Sequence, residues 1–289
     1  MNNIFFLTFI FSYLLVPTSQ LICLTGCSTI QIQYPYSFHN LSERSSCIRN
    51  TLATVCKGRI VAYYKGETFP KYINYTFGTT HDPLETKYED DVDTHGLDTF
   101  NKYQVIVNAT NEESIIIADI YCTAKNECAS SEIENLFTKY MGQVNPFYEL
   151  QPLIYISPSP KNLSCYNVST NKNEQCSASN GNPVCMSYLK SFKQECSFST
   201  DIHLHEEFTV TTPSSLQFNR MSELVKCNKD NCNSMETLSK IQNITRLYAY
   251  GIVTKQNNAD RPCRIMYQMF YVLLCRVFIF QSACIQCNI

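Results

Sequence analysis

Tryptophan is absent from this 289-residue sequence, and recognisable cytosolic metal or redox chemistry is almost absent too. A single C-x-x-C occurs, Cys284 to Cys287, and it lies at the C-terminal end with no βαβ pattern around it. The histidines do not accompany cysteines, so the clustered ligands of a zinc domain are missing. Neither charge sign is in useful excess. A formal net charge of −2 argues against a composition-driven attraction to nucleic acid or acidic lipid. There is no G-x-S-x-G and no phosphate-binding P-loop, so no catalytic constellation stands out and no cofactor is expected.

What the chain does have is 16 cysteines, together with 19 Tyr and 17 Phe that suit β-structure. That cysteine density belongs in an oxidising compartment. The N-terminus agrees. Ile4 to Val16 is apolar except for Thr8 and Ser12, and Pro17-Thr18-Ser19 ends the run. It is short for a membrane span and of the right length for a signal-peptide core, although no Lys or Arg precedes it. Residues 1–20 are therefore read as a signal peptide, cleaved between Thr18 and Ile22. Leu24-Thr25-Gly26-Cys27 offers a lipoprotein-type cleavage box as the competing reading. Six N-x-S/T sequons, at Asn40, Asn74, Asn108, Asn162, Asn167 and Asn243, suit a glycosylated extracellular surface.

The cysteines fall into groups. Cys23, Cys27, Cys47, Cys56, Cys122 and Cys128 form the first, and Cys165, Cys176, Cys185, Cys196, Cys227 and Cys232 the second. Cys263, Cys275, Cys284 and Cys287 follow. Both large groups place four cysteines early, then a long gap, then a close pair followed by C-x-S-x-E. The parallel points to an internal duplication. Helices are expected after each pair. Ser131 and Glu134 have capping-box spacing ahead of the Ile133, Phe137, Tyr140 and Met141 face, and Asn233 with Glu236 repeats it before Leu238 and Ile241. Strand patterns fill the gaps: Ile60–Tyr64, Lys71–Phe77, Tyr103–Val107 and Ser114–Tyr121, then Val184–Leu189, Glu207–Thr211 and Ser215–Phe218. The expected fold is mostly β, in small disulfide-rich modules with short helices after each module and an apolar C-terminal helix. Module 1 covers residues 21–128, a proline-bearing connector 129–162, module 2 residues 163–233, and a second connector 234–262. Disulfides closing long loops contribute on the order of 2–4 kcal/mol each, enough to decide whether such modules fold.

The second group resembles the three-finger domain of the lymphocyte-antigen and urokinase-receptor family, also seen in snake neurotoxins. Leu163-Ser-Cys165-Tyr166 looks like the family's opening, and Cys227-Asn-Lys-Asp230-Asn-Cys232-Asn233 is similar to its closing motif. Lys226 stands where the family has the first cysteine of a doublet, no partner for it occurs between Cys196 and Lys226, and Val168 replaces an extra early cysteine. The resemblance implies pairing Cys165–Cys185, Cys176–Cys196 and Cys227–Cys232. It implies that Asn233 ties the chain end back to the module by backbone hydrogen bonds. The parallel set in the first group is Cys23–Cys47, Cys27–Cys56 and Cys122–Cys128. That group lacks the Asp, ends in Ala129, and would need enlarged fingers. An unrelated disulfide-rich secreted fold is the alternative, since six cysteines allow many connectivities.

His203 and His205 would share one strand face without a third ligand nearby, so a solvated face is expected there rather than a metal site. Glu89, Asp90, Asp91 and Asp93 lack the spacing of a calcium loop. Residues 263–289 form an apolar tail, a candidate membrane anchor. Ile265–Phe280 is broken only by Gln268 and Arg276, and extension to Ile285 reaches spanning length. Arg276 near the middle would cost roughly 2.5–3.5 kcal/mol. A lipid anchor near Asn257, Asn258 and Ala259, or a buried amphipathic helix, are the other readings. The expected function is a non-catalytic extracellular recognition module on a secreted or cell-surface glycoprotein, outside the cell or on the outer face of the plasma membrane, binding an unknown protein partner through loops. A secreted enzyme with a site assembled from scattered residues is the alternative.

Overall fold

The structure, a computed structural model, describes residues 21–27, 29–34, 47–53, 55–79, 99–123, 125–177, 182–188, 193–212 and 221–252. The signal peptide, Asn40, the acidic residues 89–93, the Ser215–Phe218 strand and the tail with its four cysteines lie outside the described residues. Among the described residues no helix is long and apolar enough to cross a membrane, and the expected apolar C-terminal helix is not supported.

Alternating burial organises the first half. β4 (Cys56–Lys65), β5 (Tyr72–Thr79), β6 (Thr99–Asn108) and β7 (Glu113–Cys122) each bury nearly every second residue. That is the pattern of strands with one covered face. Ile60, Ala62, Tyr64, Ile73, Tyr75, Tyr103, Val105, Ile116 and Ala118 are buried on that face. The second half repeats the plan with β10 (Pro183–Tyr188), β11 (Lys193–Phe198), β12 (His203–Thr212) and β13 (Met221–Cys227). Each half also holds a separate two-stranded sheet. In the first, β1 (Leu21–Thr25) pairs with β3 (Ile48–Ala53); in the second, β8 (Asn162–Asn167) pairs with β9 (Lys172–Ser177). The fold is mostly β, in small modules tied by disulfides, as expected.

The strand orders match. From the shared seam outward, the first half runs β6-β7-β4-β5 and the second β12-β13-β10-β11. A short β2 (Ile30–Gln33) adds to the outer edge of β5. The seam is an antiparallel ladder between β6 and β12 that runs from Asn108↔His203 to Thr99↔Thr212. Nine strands thus form one sheet to which both halves contribute. Because the seam is antiparallel, the turn after β6 lies beside the start of β12, and these corresponding strands of the two halves run in opposite directions.

Segment 129–162, expected as a connector, is largely helical. α1 (Cys128–Met141) and α2 (Phe147–Ile154) contribute Ile133, Leu136, Phe137, Tyr140, Phe147, Leu150 and Ile154 to the core. Its prolines do not prevent this, since Pro146 is the N-cap of α2 and Pro152 falls within its second turn. α1 lies so close to β4 that a Cβ at Gly58 would come 2.8 Å from Ile133 Cγ1. The final helix, α3 (Met235–Ala249), lies over the same face of the sheet. The ends of α1 and α3 meet where the Tyr140 hydroxyl donates to the Ala249 carbonyl at 2.6 Å and the Gln143 amide to the Tyr248 carbonyl at 2.6 Å.

Both helices form where the sequence places them, but with different caps. α1 begins at Cys128 after Glu127, which adopts a left-handed conformation (φ 53°) and makes no side-chain cap, so Ser131 is interior. α3 is capped by Ser234, whose hydroxyl accepts from Thr237 N, while Asn233 is turned to the strands instead.

Candidate functional site

Six disulfides hold the described residues: Cys23–Cys56, Cys27–Cys47, Cys122–Cys128, Cys165–Cys185, Cys176–Cys196 and Cys227–Cys232. The second-half pairs are those the resemblance implies. The first half corrects the expectation of Cys23–Cys47 and Cys27–Cys56. Register is the reason: β1 pairs with β3 through Thr25↔Ile48, so Cys27, just past β1, meets Cys47, just before β3. Cys23 is then left to reach Cys56 at the start of β4, as Cys165 reaches Cys185 in β10.

The closing loops correspond in detail. Asn233 is fully buried, accepts from Tyr166 N at 2.9 Å, and donates to Tyr166 O at 2.9 Å and Met186 O at 3.4 Å. Asp230 accepts from Ser164 N at 2.7 Å. These bonds explain why an Asp and an Asn stand on either side of the last cysteine: each satisfies backbone groups of the two-stranded sheet that no strand pairs.

Among the described residues no helix lies on the other sheet face, and its side chains stay largely half-exposed. Cross-strand register lines up Tyr72, Tyr63, Ile115, Ile106, His205, Leu224 and Tyr188 in one row across both halves. Tyr63 and Tyr72 stack with centroids 4.9 Å apart. Around this row the charges are matched. Arg59 grips Asp119 through two bonds of 2.5 and 3.0 Å, and Lys102 meets Glu207 at 2.9 Å. Lys65 meets Glu113 at 2.9 Å and holds its carboxyl below the usual carboxylate range.

His203 and His205 share this face, as expected. His203 Nδ1 lies 2.7 Å from Asp201. His205 Nε2 is buried without a hydrogen-bond partner among the described residues, and burial pushes the ring's pKa down against the opposing pull of Glu207. Among the described residues no three His, Cys, Asp or Glu side chains converge as a metal ion would require.

The sequons scatter. Asn74 stands on the uncovered face in β5. Asn108 ends β6, its Oδ1 accepting from Thr110 N and Asn111 N. Asn162 opens β8 and is exposed, while Asn167 closes it with its amide donating to Glu174. Asn243 is exposed on α3, although Thr245 of the same sequon is buried against Glu206. Sequence reading did not find the row across the seam, because its members come from seven strands and only the register joins them.

No family model matches this chain, no curated protein is similar to it, and no solved structure matches its fold.

Proposed function

We propose that this chain is an extracellular, non-catalytic recognition glycoprotein made of two three-finger-type modules fused through their third-finger strands. It is exported through the secretory pathway and binds a protein partner. Its strand order and second-half bridges favour the three-finger reading, and six disulfides suit an oxidising environment. The first half then holds an additional finger-one bridge, Cys27–Cys47, and lacks the counterpart of Cys176–Cys196.

The observation that carries the binding reading is the uncovered face with its row from Tyr72 to Tyr188. The antiparallel seam runs β6 and β12 in opposite directions, so the face, rather than one end of the sheet, is the surface both halves share. An apolar and aromatic strip bordered by charge pairs is what a protein interface uses for its core and rim. The secreted protein, screened against an array of extracellular domains, tests this. Ile106→Glu and Leu224→Glu should each weaken a captured interaction at least about tenfold, while Asn171→Ser in the β8–β9 turn leaves it unchanged. Loss with the turn variant and retention with both face variants would overturn the surface assignment.

A further inference from the structure

We propose that Asn74 carries an N-linked glycan whose first sugar packs on the Tyr72–Tyr63 pair, so that the glycan closes one end of the uncovered face and confines partner binding to the seam. This rests on the secretory reading above.

Geometry sets Asn74 apart from the other sequons. Tyr72, Asn74 and Thr76 alternate along β5 and therefore share a face, with neighbours spaced about 7 Å apart. Asn74 stands opposite Val61 in β4 and Gln31 in β2, and Tyr63 stands opposite Tyr72. A sugar leaving Asn74 thus emerges beside the stacked Tyr63–Tyr72 rings, each of which leaves one face uncovered by the other. The C–H face of an acetamido sugar is apolar and weakly positive, complementary to the electron-rich face of a tyrosine ring. Nor is the Asn74 carbonyl committed elsewhere. Its Oδ1 is buried with no hydrogen-bond partner among the described residues, whereas Asn108 and Asn167 spend theirs on turn backbone.

The consequence is a boundary. Tyr63 and Tyr72 form the outer end of the row, next to the edge strand β2. A bulky polar chain there would solubilise the apolar end and leave Ile115, Ile106, His205 and Leu224 open.

The full chain is expressed in a secretory eukaryotic host, and occupied asparagines are marked by enzymatic deglycosylation in heavy-oxygen water with peptide mass spectrometry. Asn74 should be marked. Melting is then compared for the parent, Tyr72→Leu, Thr76→Val and the double variant, Thr76→Val removing the sequon while keeping Asn74. The cost of Tyr72→Leu should fall by about 2–4 °C once the glycan is lost. A second readout needs no variant: on the native protein the deglycosylating enzyme should release the Asn74 glycan several-fold more slowly than that on exposed Asn162. An unmarked Asn74 beside a marked Asn162 or Asn243 overturns this proposal and leaves the secretory reading standing. Equal Tyr72→Leu costs in both backgrounds, or equal release rates, overturn the packing. If no sequon is marked, the secretory reading fails with it.

Discussion

Asn126 occupies in the first half the place that Asp230 occupies in the second. Asn126 Oδ1 accepts from Ile22 N at 2.9 Å and Asp230 Oδ1 from Ser164 N at 2.7 Å. The next residue in each loop, Glu127 or Asn231, takes a positive φ and donates its N–H to the carbonyl of the same strand residue, Ile22 or Ser164. An amide and a carboxylate thus serve as the same acceptor. Asn126→Asp should therefore be tolerated, while Asn126→Leu should cost about 1 kcal/mol in denaturant unfolding. Equal losses for both would show that the acceptor does not matter.

The halves also reveal where a bridge is missing. Cys176 pairs with Leu163 across β8–β9, and Ala53 pairs with Leu21 across β1–β3. Cys196 stands opposite Cys185, and Thr79 opposite Cys56. Ala53 and Thr79, both buried, hold the positions of the Cys176–Cys196 bridge. The double substitution A53C/T79C should form a further disulfide with little rearrangement, raising stability by about 3 kcal/mol on chain-entropy grounds. Free thiols at both positions in the oxidised protein would refute the equivalence.

Gly58 tests the α1–sheet contact. Its missing side chain lets fully buried Ile133 approach, and an added methyl would overlap Ile133 Cγ1. Gly58→Ala should lower stability by about 1–3 kcal/mol, despite the better strand propensity of alanine. Pairing it with Ile133→Val should recover part of that loss, as a shared contact requires.

His205 sets a pH dependence with a definite sign. Burial lowers its pKa from 6.5 in the folded state, so between that lowered value and 6.5 the unfolded chain binds more protons. The histidine's full contribution is present above pH 6.5 and is lost as pH falls toward the folded value. Facing groups are Glu207, His203 and Lys102, of which only Glu207 opposes the shift. His205→Gln should flatten the fall in melting temperature between pH 7 and pH 5. An unchanged slope would place the acid sensitivity elsewhere.

Periodicity of two was readable from Ile60 to Tyr64, Tyr103 to Val107 and Ser114 to Tyr121, and each lies inside a strand. The short strands β1, β3, β8 and β9 were not, since too few residues show alternation there and their partners and disulfides, not propensity, hold them. The cap of α3 fell to Ser234 because Asn233 has stronger obligations to Tyr166 and Met186. Helix α2 was hidden by prolines that suggest a loop until a core is there to receive Phe147 and Leu150.

By itself the sequence determined the class: cysteine number, their repeated layout and aromatic alternation require an oxidised, mostly-β, duplicated protein, because these are properties of residue type and spacing. The tertiary structure decided which cysteines meet, that Asn126 replaces Asp230, and that two modules share one sheet. Those depend on strand register, and register is settled by the burial of a whole face at once; a slip of one residue at the β6–β12 seam would turn Leu204 and Phe208 away from the face on which Tyr103 and Val105 are buried.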